Sequence, residues 1–228
     1  FTLPLTAQNI DTFESTLTEA PKDYHESAFK SGEWFKFRIH YGFFNASYAT
    51  LALSETKRNN ELLYFAQGIG RTTGIARWFF KVDDYYDSYF TKENTQPIHF
   101  IRNINEGGYK KNVTIDFDHQ NNQARSKDLI RQSESYYKTN SNVQDLVSCF
   151  YFLRNQVKND SLELGEFIVV NLFFDSDNYA FRFKYLGKEK IKTKFGYVNT
   201  LKFRPYVQTG RIFKNNESIM LWVSEDNN

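Results

Sequence analysis

The sequence predicts an all-β chain in which a single curved antiparallel sheet, or partly open barrel, of about 10–12 strands wraps around one α-helix. Three observations predict it. First, only Ser141–Arg154 (SNVQDLVSCFYFLR) has strong helical character. Its apolar residues Val143, Leu146, Val147, Phe150 and Tyr151 follow the i, i+3, i+4, i+7, i+8 pattern, and Cys149 and Leu153 widen the stripe until little polar surface is left. Ser141 and Gln144 have the spacing of a capping box, and Asp145 and Arg154 suit the two ends of the helix dipole. Second, much of the remainder alternates apolar and polar residues, as in Phe35, Phe37, Ile39 and Tyr41 set between Lys36, Arg38 and His40. Third, EGGY at 106–109 and DSDN at 175–178 place residues that tolerate positive φ between such runs, the signature of tight hairpins. An aromatic content of 18% reinforces the preference for pleated sheet.

Taken in order, Phe1–Ala7 reads as the remnant of a signal peptide, and residues 8–26 form a polar lead-in. Residues 27–228 read as a single all-β domain, with SIMLWV a final strand that lacks a successor, so the domain is expected to be truncated at its C-terminal end. GEWFKFRIHY and NASYATLAL are strands on either side of Gly42, and ELLYFAQGIG follows a turn at KRNN. GIGRTTGIARWFF is a glycine turn leading into one helical turn, with Trp78, Phe79 and Phe80 expected to plug one end of the core. VDDYYDSYF, the hairpin around EGGY and two weaker strands near 123–127 and 135–138 precede the helix. LELGEFIVVNLFF, YAFRFKYLGKEKIK, KTKFGYVNTLKFRPY and SIMLWV complete the series.

Bulk chemistry excludes several classes. With 29 Lys+Arg against 27 Asp+Glu, the net charge of +2 creates no overall field toward nucleic acid or an anionic membrane, and nucleic acid is not an expected partner. No run approaches the roughly 20 apolar residues of a membrane-spanning helix. The single cysteine, Cys149, rules out an internal disulfide and reads as a structural thiol in the helix stripe. The glycines of GIGRTTG lack the Lys-Ser/Thr ending of a phosphate loop and the βαβ setting of a dinucleotide site, so no cofactor is expected. Asp116, Asp118 and His119 tempt as a metal cluster, but strand alternation sends His119 to the other face, and no metal site is assigned. Asp83, Asp84 and Asp87 are split by the same alternation, and no catalytic residue is assigned.

The aromatics remain. Trp78, Phe79 and Phe80, with Phe150, Tyr151 and Leu153 of the helix, are candidates for the lining of an apolar pocket between sheet and helix, the kind that takes a lipid-like or amphipathic ligand. Packed core is the simpler account of any one of them.

Several runs together resemble an exported bacterial family known as domain of unknown function 3108, of the Bacteroidetes type: FKSGEWFKFRIHYGFFNASYATL, TTGIARWFFKVDDYYDSYF, IRNINEGGY, NVQDLVSCFYFLRN, FFDSDNYAFRFKYLG and KTKFGYVNTLKFRPYVQTGRIFKNNESIMLWVSED. The resemblance implies an all-β domain exported to the periplasm or outer-membrane periphery of a Gram-negative bacterium, and brings no activity or ligand. The expectation is therefore an envelope protein that is a non-enzymatic binding module for a hydrophobic or amphipathic ligand or an envelope partner. An envelope hydrolase acting on glycan or peptide and a purely structural envelope component are the alternatives.

Overall fold

The computed structural model describes residues 27–41, 44–159, 162–207 and 220–225. The expected leader remnant Phe1–Ala7 and the lead-in 8–26 lie outside the described residues. The fold is mainly β and antiparallel. Its first eight strands are β1 (Trp34–Tyr41), β2 (Phe44–Arg58), β3 (Glu61–Thr72), β4 (Asp83–Thr91), β5 (Pro97–Glu106), β6 (Tyr109–Asp118), β7 (Gln123–Asp128) and β8 (Ser133–Lys138). They form one meander in which every strand pairs with its sequence neighbour. A short helix, α1 (Gly74–Phe79), joins β3 to β4. The principal helix, α2 (Ser148–Asn159), follows β8. A second sheet of four strands comes last, with β9 (Phe167–Phe174), β10 (Asp177–Thr193), β11 (Gly196–Val207) and β12 (Leu221–Ser224) in the order β12-β11-β10-β9.

The turn chemistry explains the meander. Asn59 and Asn60, Gly107 and Gly108, and Asp175 and Ser176 each supply two consecutive positive φ angles, the backbone of a two-residue turn whose twist matches that of the flanking strands. These fix the β2–β3, β5–β6 and β9–β10 hairpins and hence their registers.

The expected single ribbon is thus divided into two sheets, with α2 between them. On one side, Val147, Phe150 and Tyr151 enter the hollow of the eight-stranded sheet and pack with Phe29, Tyr64, Phe90, Phe100, Ile115 and Phe173. On the other, Cys149, Phe152, Leu153 and Val157 meet Ile168, Val170, Tyr185 and Phe203 of the second sheet. The breadth of the apolar stripe is the reason: a helix greasy on both flanks requires two partners.

The helix starts later than its sequence pattern predicts. Gln144 does not cap it. It forms an isolated parallel bridge to Leu172, donating its N–H to the Asn171 carbonyl (2.7 Å) and accepting from the Phe173 N–H (2.9 Å). The cap is Asp145, whose Oδ1 accepts from the N–H groups of Val147 (2.8 Å) and Ser148 (2.7 Å), while Ser148 Oγ accepts from the Asp145 N–H (2.9 Å). This is a capping box moved along the chain by the demands of the bridge. Ser88 Oγ of β4 donates to Asp145 Oδ2 at 2.6 Å, so the cap is pinned to the eight-stranded sheet. Asp145, Ser88 and Ser148 are all fully buried, and burial pushes the Asp145 carboxyl up to about 6.

The other end of α2 is clamped to the start of the described chain. Arg154 pairs with Glu33 (2.5 Å), donates to the Ala28 carbonyl (2.7 Å) and lies over the rings of Phe29, Phe35, Phe150 and Tyr151.

The expected aromatic plug does not form. Trp78 and Phe79 on α1 are 90% and 86% exposed, and Phe80 is more than half exposed. With only 6 residues, α1 is too short to present a second turn that would carry these rings back over the sheet.

Candidate functional site

The second flank of α2 is incompletely filled. Towards its C-terminal end, Val157 packs among Ile168, Tyr185 and Phe203. Nearer its N-terminus, Leu146, Cys149, Phe150 and Leu153 face Val170 and Leu172 of β9 and Phe181 and Phe183 of β10 across a cleft of about 310 Å³. The two strands present these side chains because Val170 stands opposite Phe181 in the register, and alternate residues share a face. The segment entering α2 is tied to both sheets, to β4 through the Asp145–Ser88 contact and to β9 through the Gln144–Leu172 bridge, and the gap opens just beyond it.

The walls of this cleft are carbon and one sulfur. Cys149 Sγ contacts the Leu146 carbonyl at 3.2 Å, and its apolar surroundings together with the nearby Asp145 push the thiol up to about 12. A thiol so disfavoured as thiolate is a poor nucleophile and a good apolar surface.

Of the residues expected to line a pocket, Phe150 and Leu153 do so. Tyr151, their neighbour, points the other way into the closed core, where it is fully buried, meets Phe29 and Phe150 edge to face and lies tilted against Phe90. Trp78, Phe79 and Phe80 belong to neither cavity wall; the first two stand on α1 and Phe80 follows it. Leu146 and Cys149 read from the sequence as part of the helix's apolar stripe, whereas Val170, Leu172, Phe181 and Phe183 were not singled out. Alternation in FIVVNLFF and AFRFK marks the strand residues as sharing faces, but nothing local says which face meets the helix.

A second cavity, of about 230 Å³, lies in the hollow of β5–β8 beneath the β9–β10 turn. It is polar. Arg102 and Lys111 both donate to Asp175 Oδ1 from that turn, and the Arg102 guanidinium sits over the Phe174 ring at 4.3 Å. Burial opposes ionisation of Asp175, but Lys111 and Arg102 outweigh it and hold the carboxyl below the usual range. Leu172 lines the first cavity and Phe173 the second, so the end of β9 is the partition between them.

The titratable side chains considered as chemical candidates are held by separate partners. Asp83 pairs with Arg77 through two 2.9 Å bonds. Asp84 is buried and accepts from the Asn105 N–H at 3.1 Å. Asp87 is joined to Gln67 at 3.2 Å. Asp116 lies between His99 Nδ1 (2.6 Å) and Arg125 (2.8 Å), which together outweigh partial burial and keep it ionised below the ordinary carboxylate range. Asp118 caps its own turn by accepting from the N–H groups of Gln120 and Asn121. His119 Nε2 sits 2.7 Å from the Pro97 carbonyl. Among the described residues no three His, Cys, Asp or Glu side chains are gathered as metal ligands.

The family model described as "Protein of unknown function (DUF3108)" matches residues 36–228, most of the length over which these two sheets and their helix are built. The chain belongs to the DUF3108 family. Among solved structures, a beta-barrel-like protein of domain of unknown function DUF1849 from Brucella abortus resembles the DUF3108 chain over 70% of its length and 71% of the other chain, with 9% identity and a TM-score of 0.41. No curated protein matches the chain. No helix among the described residues of this DUF3108 protein is long and apolar enough to cross a membrane.

Proposed function

We propose that this DUF3108 chain is a binding module of the cell envelope that holds the apolar portion of a small amphipathic molecule in the cleft between α2 and strands β9 and β10. The observation that carries the reading is the cleft itself: eight side chains, all apolar or sulfur-bearing, around about 310 Å³ of unfilled space beside an otherwise close-packed helix. Protein interiors normally close such gaps, because each unfilled contact forfeits dispersion energy. Water gains little there, since an apolar lining offers it almost no hydrogen-bond partners. The volume lies at the lower end of the roughly 300–1,000 Å³ typical of small-molecule sites, which suits one acyl chain rather than a whole lipid. The envelope setting follows from the compartment that the sequence resemblance implies.

Cys149 supplies the test, being the only cysteine and part of the wall. Dodecanoate is expected to slow alkylation of Cys149 by N-ethylmaleimide at fixed pH, and native mass spectrometry is expected to show a one-to-one adduct. Leu172→Trp, which fills the cleft, is expected to abolish both effects. Unchanged alkylation at saturating dodecanoate, with no adduct, would overturn the reading.

A further inference from the structure

The meander puts alternate turns at opposite ends of the eight-stranded sheet, and the two ends differ in kind. One end carries the β2–β3, β4–β5 and β6–β7 turns and the exit from β8. Their residues are Asn59 and Asn60, Lys92–Gln96, His119–Asn122 and Thr139–Asn142, without an aliphatic, Phe, Tyr or Trp side chain among them. Arg58 and Lys92 on this rim are balanced by Glu61 and Glu93.

The other end carries α1, the β5–β6 turn and the β7–β8 turn. Ile75, Trp78 and Phe79 on α1, Phe80 just after it, Tyr109 after the β5–β6 turn, and Leu129 and Ile130 in the β7–β8 turn are each more than half exposed. The first two of these loops are tied together. Gly107 donates its N–H to the Lys81 carbonyl (2.8 Å), Val82 bridges Glu106, and the Phe80 ring lies so close to Gly107 that any side chain there would overlap it. Leu129 in turn donates its N–H to the Asn112 carbonyl of β6 (2.8 Å), which holds the third loop beside them.

Charge is arranged to match. Lys81, Lys110, Arg71 and Arg131 are exposed, whereas most acids of this rim are buried or engaged by neighbours, Glu106 being half-buried and Glu134 lying beside Lys127. Asp84 is buried, Asp83 is engaged by Arg77 and Lys81, and Asp128 accepts from the N–H groups of Ile130 and Arg131. Aromatic and aliphatic side chains on separate loop tips, interleaved with outward cations, are what the interface of a bilayer accommodates: rings at headgroup depth, cations at lipid phosphates.

We propose that this rim seats the protein on a membrane surface carrying anionic lipid, with Trp78 and Phe79 inserted to headgroup depth. The loop-tip arrangement favours a bilayer over a folded partner, since the apolar side chains stand apart on three turns instead of forming one groove. None of these residues lines the α2 cleft, so the two proposals stand or fall separately.

The test is flotation of the full chain with vesicles of phosphatidylcholine and phosphatidylglycerol, compared with phosphatidylcholine alone. The wild-type chain is expected to float with the mixed vesicles, less with the zwitterionic ones, and less again at high salt. Trp78→Ser/Phe79→Ser is expected to weaken partitioning roughly tenfold or more, given the transfer energy of two large rings. Leu62→Ser, which removes an exposed apolar side chain near the polar rim, is expected to bind like the wild type. Circular dichroism checks that each variant is folded. In a Trp34→Phe/Trp222→Phe background, leaving Trp78 as the only indole, brominated lipid is expected to quench its fluorescence. Failure to float with either vesicle, undiminished binding by the double variant, or absence of quenching would each overturn the proposal. So would self-association abolished by the double variant, which would make a second copy the occupant.

Discussion

The two flanks of α2 use the same kinds of side chain with opposite results. Against the eight-stranded sheet, Val147 and Tyr151 are buried in a core closed by Phe29, Phe90 and Phe100. Against the four-stranded sheet, Leu146, Cys149 and Leu153 leave a cleft. The difference does not lie in hydrophobicity. The larger sheet curls round the helix and its cap is bonded to that sheet through Ser88, whereas the smaller sheet meets the segment entering the helix at the Gln144–Leu172 bridge and the helix itself near Val157, with the cleft between these contacts. The entry to the helix is anchored on both sides, so it is the curl of the larger sheet that separates the closed interface from the open one.

The comparison breaks if the flanks respond alike to mutation. The largest expected effect is Tyr151→Ala, which empties a fully enclosed site and is expected to cost about 3–5 kcal/mol in urea denaturation. Leu153→Ala, beside existing space and half-buried, is expected to cost only about 1–2 kcal/mol. Equal losses would mean that the cleft is closed in solution.

The pin itself is expected to sense pH. The Asp145 carboxyl has a folded value of about 6, above its ordinary 3.8. A raised acid contributes stability that is complete below the unfolded value and is lost as the pH rises through the folded one. Wild-type stability relative to Asp145→Asn is therefore expected to fall between about pH 4 and about pH 6, by roughly 2–3 kcal/mol, and to stay flat above. Urea midpoints for the two proteins across that window measure it, and parallel profiles would remove the carboxylate from the account.

The smallest effects sharpen the contrast most. The same enlargement on the two flanks, Val147→Met and Cys149→Met, is expected to differ in sign. Overpacking the closed core costs about 1–3 kcal/mol, whereas a flexible thioether entering the cleft changes stability by under about 1 kcal/mol, towards stabilisation. Thermal melts of the pair test this.

Much of the architecture was legible in the sequence because it is written locally. The Gly107–Gly108 turn, the strand alternation and the apolar stripe of the helix each depend on neighbours in the chain. The departures came where a residue answered to a distant partner. Gln144 has the spacing of a cap but serves Leu172, and Asp145 takes over because Ser88 and the Val147 and Ser148 amides converge on it. Trp78–Phe80 read as core because they are large and apolar, and only the topology shows that α1 projects from the rim. The cleft was half legible: Phe150 and Leu153 were foreseen on one wall, while the opposite wall depends on how β9 and β10 face the helix.

One residue joins two parts of this molecule. Leu172 stands opposite Gln144 in the backbone suture that stitches β9 to the segment after β8, and its side chain is also part of the cleft wall. Whatever wedges into the cleft therefore pushes on the stitch itself. If the cleft takes a ligand as proposed, sheet-to-sheet cohesion would register it at a single leucine.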